Sequence, residues 1–219
     1  MPRMPEAADA TRFHLVRHAL VEAPARAMLY GSMDVALCDV ALRDEAALYR
    51  WLAHRLPRPA AWVVSSLSRT RLTAQAIFAA GYPDQPLAVE PDLREQELGE
   101  WQGLAHDQLV ERLRDAPHPF WPHGAEEVPP GGESMAAVRA RVAPVLERLA
   151  ERHAGGDVVI VAHGGSIRAA LAHALDLTPH QALVFSIRNL GVTRLEKHGG
   201  DWRVAAVNEE PWAGPPDVE

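Results

Sequence analysis

Three short apolar runs, FHLV at 13–16, AWVVS at 61–65 and VVIVA at 158–162, constrain this chain most. Each is too short for a helix and lacks clear polar alternation, which is the pattern of a strand buried on both faces of a parallel sheet. Between them lie helical periodicities. Leu42, Ala46, Tyr49, Leu52, Ala53 and Leu56 recur at three- and four-residue steps, as do Met135, Val138, Val142, Val145, Leu146 and Leu149. Strands alternating with helices predict an α/β fold: a three-layer α/β/α sandwich whose mostly parallel sheet carries helices on both faces. Pro144 falls inside the second helical pattern, where its missing N–H and its clash with the preceding turn predict a kink or break. Near the C-terminus, residues 191–196 and 202–207 flank the turn-like His198-Gly-Gly-Asp201, a hairpin that adds an antiparallel edge to the sheet.

At 219 residues and 47% hydrophobic, the chain can bury a full core, and it reads as one domain over 1–219 with a small cap segment at 104–133. Lys and Arg total 22 against 29 Asp and Glu, a net charge of −7, which argues against nucleic acid as a partner. Any phosphate site must therefore be a local concentration of positive charge. Cys38 is the only cysteine, which excludes an internal disulfide and a cysteine-based zinc cluster and suits a reducing compartment. The first dozen residues hold no apolar signal region, and no run approaches the roughly 18 residues that span a bilayer. A cytoplasmic chain without a membrane partner is expected.

Two of the apolar runs end in histidine, as Arg17-His18-Ala19 and His163-Gly164-Gly165. Open α/β sheets place their chemistry at the C-terminal ends of strands. Neutral imidazole is a good nucleophile toward phosphorus at pH 7, and a phosphoryl group needs guanidinium forks or helix N-terminal amides to hold its charge. Such groups stand nearby in the sequence. Arg69 lies in the first turn of a helix following the second strand, where a cation opposes the helix dipole and suggests an anion or an acid partner close by. Arg71 should face solvent. Gly164 and Gly165 remove side-chain bulk where the next helix begins, which leaves backbone N–H groups open to an anion. The Gly-punctuated stretch 93–103 holds Glu95, Glu97 and Glu100, any of which could protonate a leaving alkoxide, and spacing does not choose among them.

In this order the motifs resemble the histidine phosphatase superfamily, the phosphoglycerate mutase-like fold, over nearly the whole chain. The resemblance rests on Arg17-His18-Ala19, Ser65-Ser-Leu-Ser-Arg69-Thr-Arg-Leu-Thr73-Ala, Leu93-Arg-Glu95-Gln-Glu-Leu-Gly99-Glu-Trp-Gln-Gly103, Pro130-Gly-Gly-Glu-Ser134 and His163-Gly-Gly. It implies that His18 becomes phosphohistidine, that Arg17, Arg69 and His163 bind phosphoryl oxygens, and that Gly164 lends its N–H. It also implies that Glu95 is the acid and later the base, with no metal and no cofactor. The stretch 30–37, Tyr-Gly-Ser-Met-Asp-Val-Ala-Leu, is similar to the α-ribazole phosphatase-like branch, which points to a small phosphorylated metabolite as substrate. A glycine-initiated turn would produce the same string.

Some positions depart from the family pattern. Ala19 replaces a glycine, and Val21 and Pro24 stand where many members carry Thr and a phosphate-touching Asn. One phosphate contact is therefore missing or supplied from elsewhere. The leading expectation is a phosphomonoesterase, with a phosphoglycerate mutase and a catalytically weak phospho-ligand binder as alternatives. A metal hydrolase ranks below these, because no ligand-spaced His or Asp motif is present. Phe120, Trp121 and His123, in the proline-rich stretch 116–132, are candidates to touch the organic part of a substrate, within a loop expected to be mostly solvated. A homodimer stays open.

Overall fold

The computed structural model describes residues 10–211, so the ends of the unit expected over 1–219 lie outside the described residues. Six strands among the described residues form one sheet in the order β3-β2-β4-β1-β5-β6. They are β1 (Thr11–Arg17), β2 (Ala61–Val64), β3 (Leu87–Val89), β4 (Asp157–Ala162), β5 (Val192–His198) and β6 (Asp201–Glu209). The first four run parallel, and β5 and β6 form the antiparallel hairpin at the far side of β1.

Eight α-helices of the described residues accompany the strands: α1 (Ala23–Arg26), α2 (Asp39–Asp44), α3 (Ala46–Arg55), α4 (Ser68–Ala79), α5 (His106–Leu109), α6 (Met135–Arg152), α7 (Gly164–Ala174) and α8 (Pro179–Ala182). Alternate residues of the central strands sort onto the two faces. Val158 and Ile160 of β4 pack with Val138, Val142 and Leu146 of α6 and Leu171 of α7. Val159 and Val161 pack on the opposite face with Leu52 and Ala53 of α3 and Ala74 and Ile77 of α4. The two-residue period of a strand thus feeds two separate cores, which is why these strands read as continuous apolar runs.

Two helical expectations need correction. The periodicity over 42–56 is divided between α2 and α3 at Glu45 (φ −88°, ψ 17°), with Leu56 already extended. Pro144 does not interrupt α6, which runs unbroken for 18 residues. Seven residues of this helix are buried, including Val145 and Leu146 beside the proline, and this tertiary packing outweighs the one lost hydrogen bond. No helix among the described residues is long and apolar enough to cross a membrane.

Candidate active site

Strand β4 lies between β2 and β1, so three parallel strands deliver their following residues to one edge: Ser65, His163 and His18. The register sets Arg17 opposite Ala162. His18 N–H then donates to the Ala162 carbonyl at 2.9 Å, and the two imidazole centroids stand 5.1 Å apart. Both histidines are buried.

The Nδ1 of His18 lies 2.8 Å from the Ala19 carbonyl oxygen. A carbonyl only accepts, so the proton sits on Nδ1 and Nε2 keeps its lone pair. Burial first, and then the charges of Arg69 and Arg17, hold the His18 pKa well below 6.5. Ala19 N–H donates to Thr73 Oγ1 (2.9 Å) and Asn189 Nδ2 donates to the His18 carbonyl (2.7 Å), so the turn after β1 is held from both sides. Ala19 avoids positive φ, which removes the conformational demand for a glycine.

His163 is held by two partners. Arg69 Nε donates to its Nδ1 at 3.2 Å, and its Nε2 faces Ser65 Oγ at 2.8 Å. Burial, followed by the Arg69 charge, keeps this imidazole neutral, with its pKa well below 6.5. Arg69 is itself fully buried and pairs with no acid among the described residues; its guanidinium donates to the carbonyls of Gly31 (2.8 Å) and Met33 (2.6 Å). Those carbonyls belong to the stretch 30–37, where Asp34 also accepts from Ser68 N–H and Oγ–H at the start of α4. This string therefore aims Arg69 and caps the helix that carries it, while Tyr30 sits 5.3 Å from the Arg69 guanidinium. Arg71 faces solvent.

Gly164 opens α7 between two guanidiniums: a Cβ there would lie 3.7 Å from Arg17 Cζ and 3.1 Å from Arg168 Nη1. Arg17 donates through Nη1 to the Ile187 carbonyl, and Arg168 through Nη1 to the Gly164 carbonyl at 3.1 Å. The Nε of each is buried with no acceptor among the described residues. Burial and the nearby Arg17 charge lower Arg168 to about 10, so it remains a cation at neutral pH. Two buried N–H donors without acceptors carry a desolvation cost that an incoming anion relieves. Motif spacing alone passes over Arg168. Its signal is present in the sequence nonetheless, because it sits one helical turn after Gly164 on the same face.

Glu95 reaches this edge from the loop after β3. Its Oε2 accepts from Gly165 N–H at 3.1 Å and its Oε1 from Gln96 N–H at 2.9 Å. A Cβ on Gly165 would overlap Glu95 Oε1, so this close approach requires a glycine. Of the other two acids, Glu97 accepts from Ser32, and Glu100 is exposed. The Pro-Gly-Gly-Glu-Ser element braces the loop: Glu133 N–H donates to the Glu97 carbonyl, and Glu97 N–H to Glu133 Oε1. Arg141 spans Glu133 Oε1 (2.8 Å) and the Glu95 carbonyl (3.2 Å). Burial alone would raise the Glu133 carboxyl, but Arg141 and the Glu97 N–H outweigh it and hold it below its ordinary value.

Above these groups opens a cleft lined by Arg17, Glu95 and Gly164 together with Tyr30, Leu98 and Trp121. Segment 104–133 contributes His106, Trp121, Pro122 and His123. Most of the stretch 116–132 is exposed or partly exposed, as expected, but it is anchored by a few buried residues. His118, His123, Ala125 and Glu127 are buried, and His123 bridges Gly124 O and Gln96 Oε1. Phe120 is exposed and does not reach the cleft. Val21 is buried in a bridge with Leu37, and Pro24 sits at the first turn of α1, so neither supplies a polar contact. Among the described residues, no group of three or more His, Cys, Asp or Glu side chains is arranged to hold a metal ion.

The sequence profile described as "Histidine phosphatase superfamily (branch 1)" matches residues 13–210. A metal-independent phosphoserine phosphatase of Arabidopsis thaliana is 32% identical over 162 residues, 74% of this chain and 67% of that protein. A glucosyl-3-phosphoglycerate phosphatase of Mycolicibacterium vanbaalenii is 34% identical over 173 residues, covering 76% of this chain and 75% of the relative. The solved structure of a mycobacterial glucosyl-3-phosphoglycerate phosphatase superposes with a TM-score of 0.78 at 29% identity, over 92% of this chain and 100% of that one.

Proposed function

This chain belongs to the histidine phosphatase superfamily (branch 1), and we propose that it hydrolyses a small phosphorylated metabolite through a phosphohistidine on His18. The observation that carries this reading is the state of His18, a buried neutral imidazole with Nδ1–H committed to Ala19 and Nε2 bearing its lone pair among cations. Relatives that are phosphatases of phosphoserine and glucosyl-3-phosphoglycerate support a phosphomonoester as substrate.

In the first step the Nε2 lone pair attacks phosphorus in line, the N–P bond forms and the ester P–O bond breaks. Glu95, as the general acid, gives a proton to the leaving oxygen. In the second step Glu95 takes a proton from water, the water oxygen attacks phosphorus, and the N–P bond breaks to return His18 and release inorganic phosphate. Arg17, Arg69 and the Gly164 N–H hold the phosphoryl oxygens throughout, so catalysis is mostly positioning and electrostatics. Arg168 joins them, donating to the phosphoryl group where Pro24 has no polar side chain to offer. His163 acts first as the brace of Arg69, because both its nitrogens are engaged; it touches a phosphoryl oxygen only by giving up one of those bonds. A cytoplasmic location completes the reading and is checked by cell fractionation.

Release of inorganic phosphate from p-nitrophenyl phosphate, with the His18→Ala variant as blank, tests the proposal. Turnover in the wild type, an acid-labile phosphate on His18 and a silent variant are expected. Full turnover in the variant overturns the role of His18, and tight phosphate binding without any release favours a binding protein instead.

A further inference from the structure

Resting on the phosphatase reading, we infer that the cleft selects phosphomonoesters whose leaving group is apolar and uncharged, and rejects those carrying a second anion. Its walls beyond the phosphoryl end are formed by Met28, Leu29, Tyr30, Leu98, Trp121 and Pro122. The two aromatic rings are held by cations: Arg69 lies 5.3 Å from the Tyr30 centroid and Arg168 4.5 Å from that of Trp121. Rings fixed in this way offer a preorganised apolar surface to a leaving group.

Charge argues the same way. Among the described residues lining the cleft, Arg17 alone carries a guanidinium or ammonium group, and the phosphoryl group engages it. The remaining basic side chains are the imidazoles of His106 at the rim and His123, and burial lowers the pKa of His123. The ionisable acid facing the same space is Glu95. Esters of phosphoserine or phosphoglycerate bring a carboxylate into this wall, where the lining offers no cation beyond the arginines committed to the phosphoryl group and the carboxylate must lose water beside another carboxylate. An apolar leaving group loses only water it does not need.

Three primary alkyl esters, whose leaving oxygens are chemically alike, separate these effects: 2-phenylethyl phosphate, glycerol 3-phosphate and 3-phosphoglycerate. Their kcat/KM values should fall in that order, with at least about a tenfold gap between first and last. In Trp121→Ala the gap between 2-phenylethyl phosphate and glycerol 3-phosphate should narrow, chiefly through a higher KM for the former. Equal or better hydrolysis of 3-phosphoglycerate overturns the inference while leaving the phosphatase reading intact. A loss in Trp121→Ala of the same size on both uncharged esters also overturns it. Release of phosphate from none of the three, nor from p-nitrophenyl phosphate, overturns the phosphatase reading itself.

Discussion

Arg69 Nε donates to His163 Nδ1 across 3.2 Å, which leaves the remaining imidazole proton on Nε2 and directs it to Ser65 Oγ at 2.8 Å. The arginine belongs to α4, the histidine to the end of β4 and the serine to the end of β2. One hydrogen-bonded chain therefore ties three elements to the edge where His18 stands. Each link is buried, so the chain is rigid and expensive to break.

That rigidity extends to Thr73, whose hydroxyl accepts from Ala19 N–H and donates to the Arg69 carbonyl at 2.7 Å. Thr73→Val keeps the volume but strands a buried N–H, which should cost about 1–3 kcal/mol. Urea denaturation measures this, and an unchanged midpoint would show that Ala19 N–H finds another acceptor.

His18 and His163 both have folded pKa values below the 6.5 of the free side chain. As pH falls below about 6.5, the unfolded chain binds protons that the folded chain refuses, so stability declines with falling pH. Their contribution is fully present above that pH and is lost progressively down to the folded pKa values. Denaturation midpoints between pH 7.5 and 5 should decline, with a shallower slope in His18→Asn. The acid limb of kcat/KM should likewise lie below 6.5, since the proposed attack by His18 requires a neutral imidazole.

Adjacent glycines should respond differently to alanine. At Gly165 a Cβ overlaps Glu95 Oε1 and displaces the carboxylate, whereas at Gly164 it meets the far end of Arg168 at 3.1 Å, a side chain able to shift. Gly165→Ala should lower kcat by about a hundredfold, in the range of a lost general acid, and Gly164→Ala by much less. Steady-state kinetics on p-nitrophenyl phosphate, with circular dichroism to confirm folding, decide between this order and its reverse.

Arg168 tests whether the cation on α7 serves the phosphoryl group or only packs against Trp121. Arg168→Met retains bulk and removes the charge and its unpaired Nε. Inhibition by inorganic phosphate should weaken by about 10- to 100-fold, the equivalent of one charged hydrogen bond. Unaltered phosphate inhibition would confine Arg168 to a packing role.

A bisphosphorylated primer distinguishes hydrolysis from isomer exchange. With 2,3-bisphosphoglycerate supplied, interconversion of 2- and 3-phosphoglycerate should stay at background, while p-nitrophenyl phosphate is hydrolysed under the same conditions. Rapid interconversion would make the chain a mutase.

The sequence by itself determined the layout. Apolar runs of strand length, helical repeats and the His198–Asp201 turn specify local structure through side-chain period and turn chemistry, and both are written in neighbouring residues. Pairing His18 with His163 required only that both follow strands of one parallel sheet. Distance in the chain hid the rest. Spacing does not choose among Glu95, Glu97 and Glu100; the family resemblance points to Glu95, and the Gly165 contact that sets it at this edge spans 70 residues. The partner of Arg69 proved to be backbone carbonyls and an imidazole rather than an acid, and the cations on Tyr30 and Trp121 come from other elements. Pro144 shows the same division, since its local rule predicts a kink or break and the buried face of α6 carries the helix through it without a break. Tertiary structure decided these points because burial converts weak surface preferences into large desolvation terms, and burial is set by contacts between residues far apart in sequence.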